Sequence, residues 1–291
     1  MKFFIKKLKW MFKTFKNPIS ILLFYKGKTN KCTFKFRDKK INNIEFTKDF
    51  DFSNPIIMYW EKGPFPDQFI NFINNFDIKK ENFEYDGLKF KAHPSSWVFF
   101  EADDYFDKFE IKDRVVLDIG GNVGDTALKF AQKGAIIYAF EPMPSLYEIA
   151  LENINLNPSY KDKIYFYNKA ISCKKGKMTI YEDDFNTGGH SQFETGGKKH
   201  VVDSITINDA IKEFDIRPDV LKMDCEGCEY SIILDSDLTM FKDIIFEYHQ
   251  YIVKKPYSIL IEKLKSEGFN VKVYNRFPEE ELGIIHAHKT D

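Results

Sequence analysis

Short apolar runs alternate with longer amphipathic segments from Val115 to the end of the chain. The short runs are rich in branched and aromatic residues and are bounded by turn residues, which predicts β-strands. The longer segments repeat apolar residues at helical spacing, which predicts helices with one buried face. Strands and helices in alternation form a parallel sheet covered on both faces. We therefore predict an α/β domain over residues 111–291, preceded by an α+β extension over residues 1–110.

The predicted elements of the α/β domain follow from this pattern. The strands are Val115–Ile119, Ile136–Phe140, Ile164–Tyr167, Asp219–Asp224, Ile244–Tyr248, Asn270–Tyr274 and Gly283–His288. The helices follow Gly124, Pro144, Thr206 and Pro256, and they end near Lys133, Asn155, Phe214 and Ser266. Thr206 and Asp209 have the spacing of a helix-capping pair. Between the third and fourth strands, Met178–Glu182 and His200–Ser204 predict a small hairpin.

The N-terminal extension begins with lysines that alternate with apolar and aromatic residues up to Pro18. Residues 1–30 contain eight Lys and no Asp or Glu. Residues 1–17 are predicted to form a basic amphipathic helix, which either packs on its own protein or lies on an anionic membrane. Strand-like runs follow at Cys32–Phe36, Ile41–Phe46 and Gly87–Lys91. The extension, with Trp60 and Trp97, is also a candidate cap over an acceptor site.

Composition limits the classes of function. A chain of 291 residues can bury a substantial core, and an aromatic share of 16% argues against disorder. The net charge of −1 gives no reason to expect nucleic acid as a partner. Four cysteines are too few for a disulfide framework in such a chain, so a reducing, cytoplasmic compartment is expected. The apolar runs of the chain are shorter than the roughly 18 residues of a membrane-spanning helix.

The most informative motif is the glycine-containing turn after the first predicted strand. This strand carries Asp118 near its end, and Gly120, Gly121 and Gly124 lead into a helix. Glycines let a backbone approach a ligand closely, and a helix N-terminus offers N–H groups to an anion. Glu141 follows the second strand, where a carboxylate is placed to accept hydrogen bonds from both hydroxyls of a ribose. Together these features predict a nucleoside-binding site.

Two nucleoside ligands suit such a turn. A dinucleotide requires the spacing G-x-G-x-x-G, in which the backbone packs against a pyrophosphate. Here the glycines have the spacing G-G-x-x-G, and Asp118 would repel a pyrophosphate. S-adenosylmethionine carries an ammonium and a sulfonium group, which a carboxylate attracts. The charge pattern therefore favours S-adenosylmethionine as the cofactor.

Several separate motifs occur in series between about residues 112 and 250. They are Val116–Thr126, Ala139–Pro142, Asn153–Asn157, Asn168–Ala170 and Leu221–Glu229. In these motifs and their order, the chain resembles the FkbM family of class I methyltransferases. The resemblance implies a Rossmann-like, mostly parallel sheet with strand order 3-2-1-4-5-7-6 and an antiparallel last strand. It also implies transfer of a methyl group to a hydroxyl of a glycan or secondary metabolite.

The motif residues are the candidate cofactor ligands. They are Asp118, Gly120, Gly121, Asn122, Gly124, Asp125, Thr126, Glu141, Pro142, Asn168 and Ala170. In the implied strand order, the carboxyl ends of the first, fourth and fifth strands are neighbours, and ligands bind at such ends. Asp118, Asp224, Glu247 and His249 are therefore expected to converge on one crevice.

Methyl transfer to a hydroxyl is assisted by a positioned base. Asp224 is the first candidate for this base and His249 the second, while Lys222 is placed to keep the Asp224 carboxylate ionised. The candidates for contacts with a small-molecule or glycan acceptor are Glu226, Glu247 and His190. His190 lies in a polar loop with neighbouring glycines, where a plain surface position is an equal alternative.

The segment Asp224–Glu229 leaves further alternatives open. Cys225 and Cys228 have the C-x-x-C spacing of zinc and redox sites, but no second pair lies nearby in the sequence. The default expectation is that both are small, buried apolar residues. Glu229 is either an acid in the first turn of a helix, where the helix dipole favours a negative charge, or a member of the site.

Two other functions are alternatives to a metal-independent O-methyltransferase. A divalent cation bound by Asp224 with Glu226 or Glu247 would activate a diol acceptor. The chain could also be a membrane-attached scaffold that keeps the fold without turnover. No pattern in the sequence identifies the acceptor, the methylated hydroxyl or the oligomeric state.

Overall fold

The computed structural model describes residues 2–47, 70, 74, 82–91, 109–181, 198–275 and 281–289. The candidates His190, Trp60 and Trp97 lie outside these residues, so their predicted contacts stay predictions. The chain divides into two compact units, Met1–Phe100 and Glu101–Asp291. Among the described helices, none combines the length and the apolar character that crossing a membrane requires.

The described part of the first unit contains two helices and two antiparallel strand pairs, β1 with β2 and β3 with β4. The elements are α1 (Lys2–Thr14), α2 (Pro18–Tyr25), β1 (Lys31–Phe34), β2 (Ile44–Thr47), β3 (Asn82–Tyr85) and β4 (Leu88–Lys91). The predicted N-terminal helix is confirmed, and it ends before Pro18. Pro18 then opens α2, because proline is favoured in the first turn of a helix. The sequence analysis missed α2 and β3.

The second unit alternates strands and helices. The elements are β5 (Val115–Ile119), α3 (Asp125–Gln132), β6 (Ile136–Phe140), α4 (Pro144–Leu156), β7 (Ile164–Tyr167), β8 (Ala170–Ile171), β9 (Gly176–Tyr181), β10 (Lys199–Ile205), α5 (Ile207–Glu213), β11 (Val220–Met223), α6 (Cys228–Asp235), β12 (Asp243–His249), α7 (Gln250–Val253), α8 (Ser258–Ser266), β13 (Asn270–Asn275) and β14 (Leu282–His288). A 3₁₀ turn, Pro158–Lys163, joins α4 to β7.

The main sheet has seven strands in the order β13-β14-β12-β11-β5-β6-β7. Strands β12, β11, β5, β6 and β7 are parallel, and β14 is antiparallel to both of its neighbours. Read from β7, this is the expected order 3-2-1-4-5-7-6, so the Rossmann-like class I methyltransferase fold is confirmed. Strands β11 and β12 are buried along their whole length, as strands covered on both faces must be.

The register of the sheet positions the site. Lys222 lies opposite Asp118, and Met223 lies opposite Ile119, so β5 and β11 end side by side. β12 pairs with β11 in parallel and ends at His249. The carboxyl ends of β5, β11 and β12 are therefore neighbours, as the strand order requires.

A smaller sheet of three strands, in the order β8-β10-β9, follows β7 in the chain. The antiparallel pairing of β9 with β10 confirms the predicted hairpin. The capping pair is also confirmed, because Oγ1 of Thr206 accepts from N of Asp209 at 3.0 Å, and Oδ2 of Asp209 accepts from N of Thr206 at 3.1 Å. The sequence analysis missed β8 and α7, which are too short to show a period.

Candidate functional site

The glycine turn between β5 and α3 packs against the protein itself. Gly120 has a φ of +82°, and a Cβ at this position would lie 1.8 Å from the carbonyl oxygen of Asp224. A Cβ on Gly121 would lie 2.7 Å from the ring of Phe166. Packing within the protein therefore suffices to explain why both positions are glycine, and their predicted contact with a cofactor stays a prediction. The two glycines allow the turn to approach β11 and β7 of the same sheet.

The N–H groups of this turn are used within the protein. Gly120 and Gly121 both donate to the carbonyl oxygen of Phe140 at 3.0 Å, and Asn122 donates to Oε2 of Glu141 at 3.0 Å. These bonds fasten the turn to the end of β6. The N–H groups that were expected to face an anion belong to the start of α3, which begins at Asp125, so that expectation stays a prediction.

Glu141 follows β6 and is 5% exposed. Each of its carboxylate oxygens accepts one hydrogen bond, from N of Asn122 at 3.0 Å and from N of Met143 at 2.8 Å. Burial raises the pKa of Glu141 to about 7, although both N–H groups lower it. A carboxylate has about four lone-pair sites, so each oxygen can accept one more hydrogen bond. Glu141 thus retains the capacity to bind a ribose while it also orders the turn.

Asp118 is entirely buried and is paired inside the protein. Its Oδ1 lies 3.0 Å from Nζ of Lys222, and its Oδ2 accepts from Oγ1 of Thr126 at 2.8 Å. Nζ of Lys222 also donates to the carbonyl oxygen of Gly120 at 3.0 Å. Asp118 is thus paired with Thr126 and with Lys222, and the predicted contacts of Asp118 and Thr126 with a cofactor stay predictions. Lys222, which was expected to keep the Asp224 carboxylate ionised, pairs with Asp118, and the charge of Asp224 also contributes to the raised pKa of Lys222.

Three buried carboxyl groups, those of Asp118, Asp125 and Glu141, surround the turn. Burial raises the pKa of Asp125 to about 6 and also raises that of Asp118, although Lys222 lowers both. Burial alone would lower the pKa of Lys222, but the neighbouring carboxylates outweigh it and raise this pKa. Oδ1 of Asn122 is buried and finds no hydrogen-bond partner among the described residues. An excess of acids with such an acceptor suits a cationic ligand that carries N–H or O–H groups.

The segment after β6 is held by a residue that was predicted to bind the cofactor. Nδ2 of Asn168 donates to the carbonyl oxygens of Glu141 and Pro142, at 2.9 and 3.0 Å. Ala170 is buried at the start of β8. Asn168 therefore holds the backbone at Glu141 and Pro142. The predicted contacts of Asn168, Ala170 and the partly exposed Pro142 with the cofactor stay predictions.

The second half of the site begins where β11 ends. N of Asp224 donates to the carbonyl oxygen of Ile119 at 2.9 Å, and the carbonyl of Asp224 packs on Gly120. The glycine turn is therefore in direct contact with the segment that carries the candidate base. Glu226 and Gly227 follow with φ values of +54° and +102°, a left-handed pair that turns the chain into α6.

Glu229, in the first turn of α6, is entirely buried. Its carboxylate accepts from N of Cys225 at 2.9 Å and from N of Gly227 at 2.8 Å, which closes the turn. Oε1 of Glu229 also lies 3.2 Å from Nδ1 of His249. The predicted position of Glu229 in the first turn of a helix is confirmed, and the same side chain also connects the turn to β12.

His249, the last residue of β12, is 2% exposed and is surrounded by carboxylates. Its Nε2 lies 3.3 Å from Oε2 of Glu226, 3.8 Å from Oε2 of Glu247 and 3.9 Å from Oδ1 of Asp224. Burial lowers the pKa of His249, but Glu226, Glu229 and Glu247 outweigh it and raise the pKa well above its usual value. A protonated imidazole cannot accept a proton, which argues against His249 as the base.

Asp224 is the most accessible carboxylate around His249. Its side chain is 32% exposed, compared with 23% for Glu226 and 7% for Glu247. Burial raises the pKa of Glu226, and the surrounding carboxylates add to this rise, although His249 opposes it. An acceptor can therefore reach Asp224 more readily than the other acids of the cluster.

Cys225 and Cys228 form a disulfide across the turn, with their Cα atoms 5.4 Å apart. The default expectation of two small apolar residues is wrong, because the turn brings the side chains within bonding distance. The free cysteines of the described residues are Cys32 and Cys173.

Two residues beside the site were not among the candidates. Nδ2 of Asn153 donates to the carbonyl oxygen of Val123 at 2.8 Å, which ties α4 to the glycine turn. Its position in one of the matching motifs was the available signal. Tyr251 is 41% exposed, and its ring centroid lies 6.1 Å from that of His249. A single tyrosine after a strand has no sequence pattern, so only the fold reveals it.

The fold, with its acidic glycine turn and a second polar cluster at the adjacent strand ends, defines a class I methyltransferase. The sequence model described as Methyltransferase FkbM domain matches residues 118–271, more than half of the 291 residues. The chain belongs to the FkbM methyltransferase family, and the resemblance seen in its motifs is confirmed. No curated protein sequence matches the chain significantly.

Similar solved structures are distant in sequence. Methyltransferase FkbM from Methylobacillus flagellatus KT is 12% identical, covers 83% of this chain and 56% of its own, and has a TM-score of 0.47. Magnesium protoporphyrin IX methyltransferase from Synechocystis PCC 6803, solved with bound SAM, is 11% identical. The match covers 67% of this chain and 78% of that protein, with a TM-score of 0.40. TrmK from M. capricolum, in complex with S-adenosyl-homocysteine, is 13% identical. The match covers 68% of this chain and 70% of that protein, with a TM-score of 0.40. These values are too low to support an argument about ligands.

Proposed function

We propose that this protein transfers a methyl group from S-adenosylmethionine to a hydroxyl oxygen of a sugar, a glycan or another small molecule. Membership of the FkbM family supports methyl transfer as the reaction. The observation that carries the proposal is the contact between the two half-sites, in which Gly120 packs on the carbonyl of Asp224. A cofactor at the turn and an acceptor at Asp224 would be neighbours, as an in-line displacement requires.

The residues of the turn fit S-adenosylmethionine by charge and by hydrogen bonding. Glu141 has further acceptor capacity for ribose hydroxyls, and Oδ1 of Asn122 is a buried acceptor. Asp118 and Asp125 add negative charge that Lys222 only partly balances. When bound, S-adenosylmethionine supplies an electrophilic methyl group on a positively charged sulfur.

Asp224 is proposed to receive the proton of the acceptor hydroxyl. Its side chain is the most exposed of the carboxylates around His249, so an acceptor can reach it. Glu226 and Glu247 are proposed to contact other polar groups of the acceptor. The exposed ring of Tyr251 offers a flat apolar surface beside them, which suits one face of a sugar ring.

Transfer of an isotopically labelled methyl group from S-adenosylmethionine to a panel of sugars and glycans tests the reaction. Label in an ether linkage resists mild alkali, whereas label in a methyl ester does not, so the product reports the acceptor atom. Binding of S-adenosylhomocysteine without transfer to any acceptor of the panel would favour the non-catalytic scaffold. Tight binding of NADH, with no binding of S-adenosylhomocysteine, would favour a dinucleotide enzyme.

A divalent-metal-assisted methyltransferase is the second candidate, and one observation favours it. Asp224, Glu247 and His249 each present a ligand atom within 4.8 Å of the others. Glu229 orients His249 through Nδ1, as outer-sphere carboxylates do for metal-bound histidines. Two carboxylates and an imidazole suit Mn²⁺ or Zn²⁺. In this alternative, Asp224, Glu247 and His249 would hold the cation, which would supply Lewis-acid activation of the acceptor hydroxyl.

Binding of Mn²⁺ to the ligand-free protein, followed by electron paramagnetic resonance, separates the two mechanisms. If the metal alternative is right, His249→Gln abolishes binding. His288→Gln is the matched control, because His288 lies 2.8 Å from Asp243 at the opposite end of β12. Methyl transfer that survives chelation, in a protein that binds no Mn²⁺, would exclude the metal mechanism.

A further inference from the structure

Helix α2 is apolar on two sides. One side, with Pro18, Ile21 and Phe24, is buried in the first unit. The other side carries Ile19 and Leu23, which are 63% and 43% exposed and are called the exposed pair below. They are four positions apart and therefore lie on the same helix face. A surface helix ordinarily places polar residues outward, so the exposed pair requires an explanation.

The exposed pair is held outward by contacts that anchor α2. Nδ2 of Asn17 donates to the carbonyl oxygen of Thr33 at 2.7 Å, and Oδ1 of Asn17 accepts from N of Lys35 at 3.0 Å. At the other end, the ring of Phe24 packs edge-on against Phe34, with centroids 6.3 Å apart. Because these contacts bury the inner face of the helix, a rotation that hid the exposed pair would break them.

Exposed lysines precede and follow α2 in the chain. The exposed lysines of α1 and of the two ends of α2 are Lys9, Lys13, Lys16, Lys26 and Lys28. Residues 1–30 as a whole contain eight Lys and no Asp or Glu. Aliphatic side chains with lysines nearby in the chain suit the surface of an anionic membrane. There the lysines bind lipid phosphates, and the apolar side chains insert into the upper acyl region.

We propose that the docking face, defined as the exposed pair and these five lysines, attaches the protein to anionic lipid membranes. The aliphatic pair favours a lipid surface over single-stranded nucleic acid, because the bases of single strands stack on aromatic side chains rather than aliphatic ones. A second copy of the chain would bring like charges together on this face. The sequence predicted membrane contact for residues 1–17, and the structure adds α2 as the inserting element. The proposal is independent of the proposed methyl transfer.

Co-sedimentation of the full chain with vesicles tests the docking face. The protein should pellet at low salt with vesicles of phosphatidylcholine and phosphatidylglycerol, and high salt should release it by screening. Vesicles of phosphatidylcholine alone should not retain it. The double variant Ile19→Ser/Leu23→Ser should lower partitioning by about tenfold or more, because both apolar contacts are lost.

Two further variants make the test specific. Replacement of Lys16, Lys26 and Lys28 by Gln should also lower partitioning by about tenfold or more. It keeps the proposal testable if the double variant fails to fold, since these lysines are exposed. The matched control is Val201→Ser, which removes a 69% exposed apolar residue from β10 in the second unit. It should leave partitioning unchanged.

Three outcomes would overturn the proposal. The first is a wild-type protein that ignores anionic vesicles at low salt. The second is retention that folded variants of the docking face do not weaken, or that Val201→Ser weakens equally. The third is a dimer in sedimentation velocity that Ile19→Ser/Leu23→Ser dissociates, without vesicle binding, since it would assign the face to a second copy.

Discussion

Nζ of Lys222 lies 3.0 Å from Oδ1 of Asp118, and the two side chains are 2% and 0% exposed. The residues face each other in register between β11 and β5. Strand β5 leads into the glycine turn, and β11 leads into the segment that carries Asp224. The buried ion pair therefore connects the strand before the glycine turn to the strand before Asp224.

Lys222→Met should destabilise the protein strongly, because it leaves the Asp118 carboxylate buried without its cation. Loss of one partner of a buried pair costs about 3–5 kcal/mol of unfolding free energy. Urea denaturation measures the loss. Lys272→Met, which removes an exposed lysine from β13, is the control and should change stability little. Addition of Asp118→Asn to Lys222→Met should restore part of the loss, and the absence of any restoration would contradict this explanation.

Glu141→Gln should weaken the binding of S-adenosylhomocysteine, because the amide nitrogen cannot accept a hydrogen bond from a ribose hydroxyl. Loss of a charged hydrogen bond of about 2–3 kcal/mol corresponds to a decrease in affinity on the order of a hundredfold. Isothermal titration calorimetry measures the change. Glu148→Gln replaces an exposed glutamate of α4 and should bind normally. Equal affinities of the two variants would remove Glu141 from the cofactor site.

Burial of Glu141 should make the stability of the ligand-free protein depend on pH. Its pKa rises from the usual 4.5 to about 7, so the folded state binds the proton more tightly than the unfolded state does. The resulting stabilisation is fully present below pH 4.5 and is lost as the pH rises through about 7. As the pH rises through this range, the unfolding free energy of the wild type should fall by at most about 3 kcal/mol relative to that of Glu141→Gln. Urea unfolding of both proteins as a function of pH checks this, and parallel curves would refute it.

Asp224→Asn should lower turnover by about 10²–10⁴, because the amide keeps the size of the side chain but cannot take up a proton. The affinity for S-adenosylhomocysteine should change little, since Asp224 lies on the acceptor half of the site. Asp235→Asn, at the exposed end of α6, is the matched control and should have normal turnover. Near-normal turnover of Asp224→Asn would mean that alignment alone accelerates the reaction.

Reduction of the Cys225–Cys228 disulfide should lower stability modestly. The bond closes a very short loop, for which the chain-entropy contribution is about 2 kcal/mol. Urea denaturation with and without a reductant measures the difference. The variant Cys225→Ser/Cys228→Ser should be insensitive to the reductant, whereas Cys173→Ser should respond as the wild type does. A wild-type protein whose stability ignores the reductant would show that the bond contributes nothing.

Local structure in the second unit could be predicted because its signals are local. An apolar run such as Val115–Ile119 or Ile136–Phe140 ends at turn residues, and both strands have the predicted bounds. Thr206 and Asp209 are three residues apart, and the side chain of each accepts a hydrogen bond from the backbone N of the other. The start of α5 could therefore also be predicted. The strand order came from resemblance to a family, since periodicity alone does not place strands beside one another.

The partners of the site residues could not be predicted, because they depend on register and on packing between strands. Asp118 looked like a contact for a cationic ligand until β11 placed Lys222 opposite it. The glycines were predicted to let a ligand approach the backbone. Gly120 is also needed because a side chain at this position would collide with the carbonyl oxygen of Asp224. In both cases the neighbouring strand supplies a contact that the sequence does not show.

The sequence by itself determined the class of fold, the turn that holds the cofactor candidates and the strand ends that carry the acids. Tertiary structure alone decided which charges are balanced, that Glu229 holds His249, and that the cysteines are joined. The physical reason is one of range. Strand and helix periods and caps act over a few residues, whereas burial, charge and proton affinity are set by residues that only folding brings together.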